Sequence, residues 1–220
     1  MLRVLLCDDH ALTRRGVRDA LTGEPGIEVV GEAGDYGELR ALMRTMPCDV
    51  LVLDLNLPGR SGLDVLHALR DEGSRVRTLV LSMYPEEVYA LRALKAGAYG
   101  YVSKGADPYA IVQAVRTLAQ GRKHVTPEIA QMLTESLMSP ALEKPHELLS
   151  DRELQTLQMI ARGQKLSEIA DALSLSPKTV SVYRARVMDK LRISSTSEMA
   201  VYALTHGLVA EMAQPGVSAA

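Results

Sequence analysis

The chain contains no phenylalanine and no tryptophan, so its hydrophobic core must be built mainly from Leu, Val, Ile, Ala and Met. Any binding of nucleic acid therefore cannot depend on bases that stack on Phe or Trp. Hydrophobic residues still make up 47% of the 220 residues and charged residues 24%, which is ordinary for a globular protein and argues against a disordered or fibrous chain. A chain of this length has room for one large domain or two smaller ones.

Cysteine is scarce, and long apolar segments are absent. Cys7 and Cys48 each stand beside an apolar run, which predicts two reduced, buried thiols and not a disulfide. No stretch approaches the roughly 18 apolar residues of a membrane span, and the first residues lack the pattern of a signal peptide. We expect a cytoplasmic protein without a membrane partner.

The first part of the sequence alternates short apolar runs with segments of helical periodicity. The runs are short enough for buried strands and lie at 2–7, 27–30, 50–53, 78–81 and 99–102. Apolar runs separated by helices indicate a parallel sheet that is covered on both faces. The pattern predicts an α/β domain with a doubly wound, five-stranded parallel sheet over residues 1–122.

Proline and small polar residues follow this region. They predict a linker at 123–146, with a short helix that begins at Pro127. Beyond the linker the pattern is helical: Ser150 and Glu153 have the spacing of a capping box, and Ser176 with Pro177 is a typical helix start. We predict a second, all-α domain at 147–210 and a flexible tail at 211–220.

Polar residues follow four of the five predicted strands. Asp8 and Asp9 follow the first strand, Asp54 the third, Ser82 the fourth and Lys104 the fifth. Ligands of open parallel sheets bind at the carboxyl ends of the strands. Three carboxylates gathered there repel one another, and Mg²⁺ relieves the repulsion. One carboxylate can then attack a phosphoryl group, while Lys104 neutralises charge on its oxygens and Ser82 hydrogen-bonds one of them.

Each of these residues also has an ordinary explanation. Acids at strand ends often cap helices or make loops soluble, and Asp9 or Asp54 taken singly fits that explanation better. Five suitable residues at four strand ends favour the functional hypothesis.

Positive charge is concentrated between Ser176 and Arg192, although the whole chain carries a net charge of −2. Because helical residues advance about 100° each, one side of this helix faces the core and the other is free to bind DNA. The candidate DNA contacts are Lys178, Thr179, Ser181, Val182, Arg184, Ala185, Arg186 and Lys190. Short side chains allow close approach to a major groove, and flanking cations meet phosphates. A solvated helix face is the alternative.

The segments CDD, LVLDLNLPGRSG, LVLSM and GYVSK resemble the receiver domain of bacterial response regulators. The resemblance covers residues 1 to about 122. It implies that Asp54 accepts a phosphoryl group from a sensor histidine kinase. It also implies that Asp9, Asp54 and the carbonyl of Asn56 bind Mg²⁺, with Asp8 assisting through water.

The same resemblance implies that Ser82 and Tyr101 form a switch pair, in which Tyr101 moves inward as the Ser82 hydroxyl turns towards the phosphate. A half-buried strand tyrosine is the ordinary alternative. The competing function is a Mg²⁺-dependent phosphatase with an aspartate nucleophile. Such enzymes carry a second Asp two positions later, where this chain has Asn56, so no general acid is evident.

The segment from Leu149 to Leu191 resembles a LuxR-type helix-turn-helix through L-S-x-R-E, E-I-A, S-x-K-T-V and K-L. With the receiver, it points to the NarL/FixJ subfamily. Ser181 and Tyr183 stand where the family usually has Lys and His, so phosphate contacts are expected to shift to Arg184 and Arg186.

The two resemblances together imply a transcription factor, not an enzyme, that binds double-stranded promoter DNA as a homodimer. A final helix from Thr196 to His206, with Met199, Tyr202 and Ala203, serves either the dimer or the core. A DNA-binding regulator that does not depend on phosphorylation is the main alternative.

Overall fold

The computed structural model describes residues 1–138 and 145–209, which form two compact units. The first unit contains a five-stranded parallel sheet with the strand order β2-β1-β3-β4-β5. The strands are β1 (Leu2–Cys7), β2 (Ile27–Ala33), β3 (Val50–Asp54), β4 (Arg77–Ser82) and β5 (Gly100–Ser103). The predicted doubly wound α/β fold is confirmed.

One helix follows each strand. These helices are α1 (Ala11–Thr22), α2 (Tyr36–Thr45), α3 (Gly62–Asp71), α4 (Glu86–Ala96) and α5 (Pro108–Ala119). The central strand β3 is buried along its whole length, as expected for a parallel sheet with helices on both faces. The strand order reverses at β1 and β3, where Cys7 pairs with Leu53. In both cases the next residue along the chain is an aspartate, so Asp8 and Asp54 are neighbours at the carboxyl edge.

Gly62 allows α3 to begin directly against the end of β3. A Cβ atom at this position would lie 2.3 Å from the carbonyl oxygen of Asp54 and 2.7 Å from Cα of Leu55. The Ser61 side chain caps the helix by accepting from the Asp64 N–H at 3.1 Å. The first turn of α3 therefore packs directly against the backbone at the end of β3.

A further helix, α6 (Pro127–Met138), packs against α4 in the first unit. The hydroxyl of Thr126 donates to Glu86 at 3.2 Å, and Ile129 is buried. The short helix predicted within the linker is therefore present. The boundary predicted at residue 122 leaves α6 outside the first domain, whereas the structure packs it there.

The second unit is entirely helical within 145–209. A short 3-10 turn, Pro145–Leu148, precedes α7 (Asp151–Ala161), α8 (Leu166–Leu173), α9 (Pro177–Leu191) and α10 (Thr196–Thr205). The predicted capping box is confirmed: Ser150 accepts from the Glu153 N–H, and the Glu153 side chain accepts from the Ser150 N–H. The tail predicted at 211–220 lies outside the described residues.

Both cysteines are free thiols, but only Cys7 is fully buried. Burial, with Asp54 and Asp8 nearby, raises the pKa of Cys7 to about 12. Cys48 is half-buried, and burial raises its pKa to about 11. Both thiols therefore stay protonated and unreactive near neutral pH. Over the described ranges, no helix combines the length and apolar character that crossing a membrane requires.

Candidate acidic site and basic helix

Lys104 joins the carboxyl ends of three strands. Its Nζ lies 2.7 Å from Oδ2 of Asp54 and 2.8 Å from Oδ2 of Asp8. The three side chains are almost enclosed, with exposed fractions of 5% for Lys104, 2% for Asp54 and 7% for Asp8. The structure thus brings together three of the residues that the sequence singles out.

Burial makes the negative charge at this site unfavourable. It raises the pKa of Asp54 above its ordinary value, and Asp8 adds to the effect, although Lys104 and the Asn56 N–H act in the opposite direction. That N–H donates to Oδ1 of Asp54 at 3.1 Å. Burial alone would lower the pKa of Lys104, but Asp54 and Asp8 raise it, so Lys104 stays charged. A second cation at the site would relieve the remaining negative charge.

Asp54→Asn is expected to stabilise the metal-free protein near neutral pH. A carboxyl whose pKa is higher in the folded than in the unfolded state makes stability fall as pH rises from the unfolded value, about 4, through the folded value. Asparagine does not titrate, so the variant does not lose stability in this way. In thermal unfolding with EDTA, the midpoint should therefore rise more, relative to the wild type, at about pH 7 than at about pH 4. An unchanged midpoint at both pH values would show that Lys104 already compensates for the burial.

Asp9 lies on the exposed side of the site, where its Oδ1 is 2.6 Å from Nδ1 of His10. One candidate ligand atom from each of Asp8, Asp9, His10 and Asp54 lies within 4.8 Å of the others. A donor set dominated by carboxylate oxygens suits a hard divalent cation such as Mg²⁺. Asn56 is half-buried beside this cluster. His10 is a functional candidate that the strand-end pattern misses, although it directly follows two acids in the sequence.

Arg14 is a second residue that the sequence motifs do not identify. Its Nη1 donates to the backbone carbonyl oxygen of Asp8, and its Nε donates to Oε2 of Glu32 at 3.2 Å. A cation near the start of a helix opposes the helix dipole, and α1 has no acid in its first turn. This unfavourable placement is the sequence signal that could reveal another role for Arg14.

Ser82 and Tyr101 are both fully buried, so Tyr101 is not a half-buried strand residue. The Tyr101 hydroxyl donates to the Tyr84 carbonyl oxygen at 2.7 Å, and the Tyr84 N–H donates to the Ser82 hydroxyl at 3.2 Å. Burial raises the pKa of Tyr101, which stays protonated. Both side chains therefore hold the same backbone residue, at the start of the loop between β4 and α4.

Helix α9 presents one buried and one exposed side. Ser176 caps it by accepting from the Thr179 N–H at 3.1 Å, and Pro177 is its first residue. The core side consists of Val180, Val187 and Leu191. The exposed residues of the predicted DNA-binding face are Lys178, Val182, Ala185, Arg186 and Lys190.

Two of the three remaining candidates on this face, Thr179 and Ser181, form hydrogen bonds within the domain. The hydroxyls of Thr179 and Ser176 lie 2.8 Å apart, and the Ser181 hydroxyl donates to the Pro177 carbonyl oxygen at 3.0 Å. Arg184 is half-buried, and its enclosed Nε has no hydrogen-bond partner among the residues that the structure describes.

Lys190 is engaged by the scaffold of its own domain. Its Nζ donates to Oε2 of Glu153 at 2.7 Å and to the Leu148 carbonyl oxygen at 3.1 Å. Burial acts to raise the pKa of Glu153, but hydrogen bonds from Lys190 and Ser150 hold that pKa below its usual value. A DNA phosphate must compete with this internal pair for Lys190.

Lys190→Ala is expected to destabilise the helical unit by about 2 kcal/mol, because it leaves the buried Glu153 carboxylate unpaired. The figure is below that for a fully buried pair because the Lys190 side chain is 36% exposed. The pKa of Glu153 is lower in the folded than in the unfolded protein. The stabilisation by its pair with Lys190 is therefore fully present above the unfolded pKa, about 4.3, and is lost as pH falls through the folded pKa. Urea unfolding measures the change in the free energy of unfolding, with the exposed Lys178→Ala as control. Equal losses of stability in the two variants would contradict a stabilising pair between Lys190 and Glu153.

Helix α10 uses the predicted residues for core packing. Met199 and Ala203 are fully buried, and the Tyr202 hydroxyl lies 3.1 Å from Nδ1 of His146. The structure therefore favours the core over the dimer for these side chains. Val201 and Leu204 are the large exposed apolar residues of this helix.

Comparison with known proteins accounts for both units. Residues 4–116 match the response regulator receiver domain, and residues 147–203 match the luxR family of bacterial regulatory proteins. The chain is 40% identical over 209 residues to the response regulator UvrY of Escherichia coli K12, covering 94% of this chain and 96% of UvrY. It is 38% identical over 210 residues to the response regulator GacA of Pseudomonas aeruginosa PAO1, covering 95% and 98%.

The fold is similar to a solved structure of two RcsB dimers bound to two parallel DNAs. The TM-score is 0.57 at 25% identity, and the match covers 91% of this chain and 96% of that chain.

A receiver fold joined to a LuxR-type helix-turn-helix defines a DNA-binding response regulator. The chain belongs to this family, in its NarL/FixJ subfamily, together with UvrY and GacA. The family predicted from the four receiver motifs and the helix-turn-helix pattern is therefore confirmed.

Proposed function

We propose that Asp54 accepts a phosphoryl group from a sensor histidine kinase and that this modification controls binding of promoter DNA through α9. The observation that carries the proposal is the pair formed by Asp54 and Lys104, 2.7 Å apart at the carboxyl edge of the sheet. An Asp54 carboxylate oxygen attacks phosphorus, and the bond from phosphorus to the histidine nitrogen breaks. Lys104 stays charged and can neutralise a phosphoryl oxygen.

Asp8, Asp9 and Asp54, with the carbonyl of Asn56, would hold Mg²⁺. The ion, when bound, neutralises charge on the transferred group. Asp8 is enclosed beside Lys104, whereas Asp9 faces the exposed side of the cluster. The carboxylates of Asp8 and Asp9 thus lie on the enclosed and the exposed side of the same cluster, close enough together to bind one cation.

Ser82 and Tyr101 would report the modification. On phosphorylation the Ser82 hydroxyl turns from the Tyr84 N–H towards a phosphoryl oxygen. Tyr101 holds the carbonyl of the same Tyr84, so the two hydroxyls act on one backbone residue ahead of α4. A two-state loop at this place would pass the signal to the rest of the receiver.

For DNA binding, we propose that α9 lies in the major groove. Val182 and Ala185 would contact bases and Lys178 and Arg186 phosphates. The other proposed contacts are Thr179, Ser181, Arg184 and Lys190. The solved complex of RcsB dimers with DNA supports binding as a homodimer. We place this activity in the cytoplasm, where bacterial DNA and the kinase's catalytic groups meet.

Arg186→Ala is expected to weaken binding to all DNA sequences several-fold and to reduce the slope of log affinity against log salt by about one. The reason is the loss of one phosphate contact and its released counterion. Fluorescence anisotropy over a salt series measures the slope. Arg75→Ala, an exposed arginine of the receiver, removes the same charge and should leave the slope unchanged. An unchanged slope for Arg186→Ala would remove Arg186 from the phosphate contacts.

The second candidate is a regulator that binds DNA through the same face of α9 without phosphorylation. Gel shifts with and without a phosphodonor separate the two candidates, because only the first predicts a difference.

A further inference from the structure

We infer that Arg14 is a positioning residue for the acidic site: it fixes the peptide between Asp8 and Asp9 and thereby holds the Asp9 carboxylate where a divalent cation binds. The inference rests on the function proposed above. It gives a residue of helix α1, in addition to the residues at the strand ends, a role in positioning the ligands of the site.

The Arg14 guanidinium is clamped between two strands. One nitrogen donates to the backbone carbonyl oxygen of Asp8, directly after β1, and another donates to Glu32 of β2. Glu32 pairs with Leu6 in the sheet, so its position is fixed by the ladder. Because a guanidinium is planar and its donors are rigidly arranged, two contacts fix its orientation. The side chain is only 21% exposed.

The peptide that Arg14 holds lies at the end of regular pairing. The Asp8 N–H still donates to Ala33 at 3.0 Å, whereas the Asp8 carbonyl accepts from Arg14. On one side of this peptide, the Asp8 side chain meets Lys104; on the other, Asp9 meets His10. A rotation of this peptide would move both carboxylates relative to Asp54. Substitution of a group that orients a metal ligand typically weakens metal binding by about tenfold or more.

Arg14 acts on the site without occupying it. Its side chain lines a small cavity together with Cys7, Asp8 and Asp54. Its guanidinium donates to the Asp8 carbonyl oxygen and to Glu32. Among the described residues, Arg14 therefore takes up no carboxylate oxygen of Asp9 or Asp54.

Arg18 provides a matched control within the same helix. It lies one turn further along α1, and its Nη1 donates to Oε1 of the same Glu32 at 3.0 Å. Its side-chain hydrogen bonds run to Glu32 and Asp19 and not to Asp8. Arg14→Gln and Arg18→Gln therefore remove the same charge and an ion pair to the same acid, but only the first releases the Asp8 carbonyl.

The test is a Mn²⁺ titration of the full-length chain, with free Mn²⁺ counted by electron paramagnetic resonance. Arg14→Gln is expected to weaken binding about tenfold, and Arg18→Gln to stay within about twofold of the wild type. In acetyl phosphate labelling, Arg14→Gln should need about tenfold more Mg²⁺ for half-maximal rate. Its rate at saturating Mg²⁺ should approach that of the wild type, because Asp54 and Lys104 are intact.

Equal Mn²⁺ affinities for Arg14→Gln and Arg18→Gln would overturn the inference. Thermal unfolding shows whether both variants fold. If Arg14→Gln does not, Arg14→Lys carries the test: its single ammonium cannot hold both partners, so Mn²⁺ affinity should fall several-fold, and a wild-type affinity would overturn the inference. A wild-type chain that fails to bind Mn²⁺ would instead refute the metal site of the proposed function.

Discussion

Asp54→Asn is expected to reduce labelling of the chain by acetyl phosphate with Mg²⁺ to background. An amide is not a nucleophile towards phosphorus and cannot form the acyl phosphate. The substitution also removes the carboxylate that contacts Lys104, while Asp8 still pairs with that lysine. The fold should therefore persist, and the loss should be chemical. Incorporated radioactivity per chain measures the effect.

Two further substitutions serve as controls for the loss of labelling in Asp54→Asn. Asp71→Asn, at the exposed end of α3, should label like the wild type. Asp9→Asn keeps the nucleophile but weakens the cation site, so its labelling should be slow and should recover as Mg²⁺ is raised. Labelling of Asp54→Asn at one equivalent per chain would show that another residue is the acceptor.

Ala185→Glu should abolish specific DNA binding, with a loss on the order of 100-fold or more. Ala185 lies on the exposed side of α9, beside Val182, which is 43% exposed. A small residue there lets the backbone approach the groove. A glutamate both fills that space and places a carboxylate against the phosphates, which costs several kcal/mol.

The control for this change is Ala41→Glu, an exposed alanine on α2 in the other unit. It alters net charge and helix composition in the same way, and DNA affinity should stay near that of the wild type. Circular dichroism should show native helix content for both variants. Retained affinity in Ala185→Glu would place the DNA-binding surface elsewhere than α9.

The sheet follows from the sequence because each strand is a short apolar run with a helix after it. β1 begins and ends as predicted, whereas β2 extends past residue 30 to Ala33. Its later residues include Gly31 and Glu32, which are half-buried on an edge strand. Apolar patterning cannot mark such residues, since an edge strand keeps one side near solvent.

The acidic site is predictable to the extent that strand ends meet in a parallel sheet. Asp8, Asp54 and Lys104 come together by topology alone. The parts that depend on side-chain direction are not predictable: Arg14 reaches back from α1 to a backbone carbonyl, and Lys190 pairs with Glu153, 37 positions earlier. Helical spacing describes which face a residue lies on, but not the partner that a long side chain finds on another element.

The most direct measurement compares the affinity of the full chain for selected genomic DNA before and after treatment with acetyl phosphate and Mg²⁺, for the wild type and Asp54→Asn. If phosphorylation of Asp54 controls DNA binding, the wild type should bind about tenfold more tightly after treatment, a shift typical of coupled sites, while Asp54→Asn should not respond. If the wild type binds DNA with equal affinity before and after stoichiometric labelling, phosphorylation of Asp54 does not regulate DNA binding.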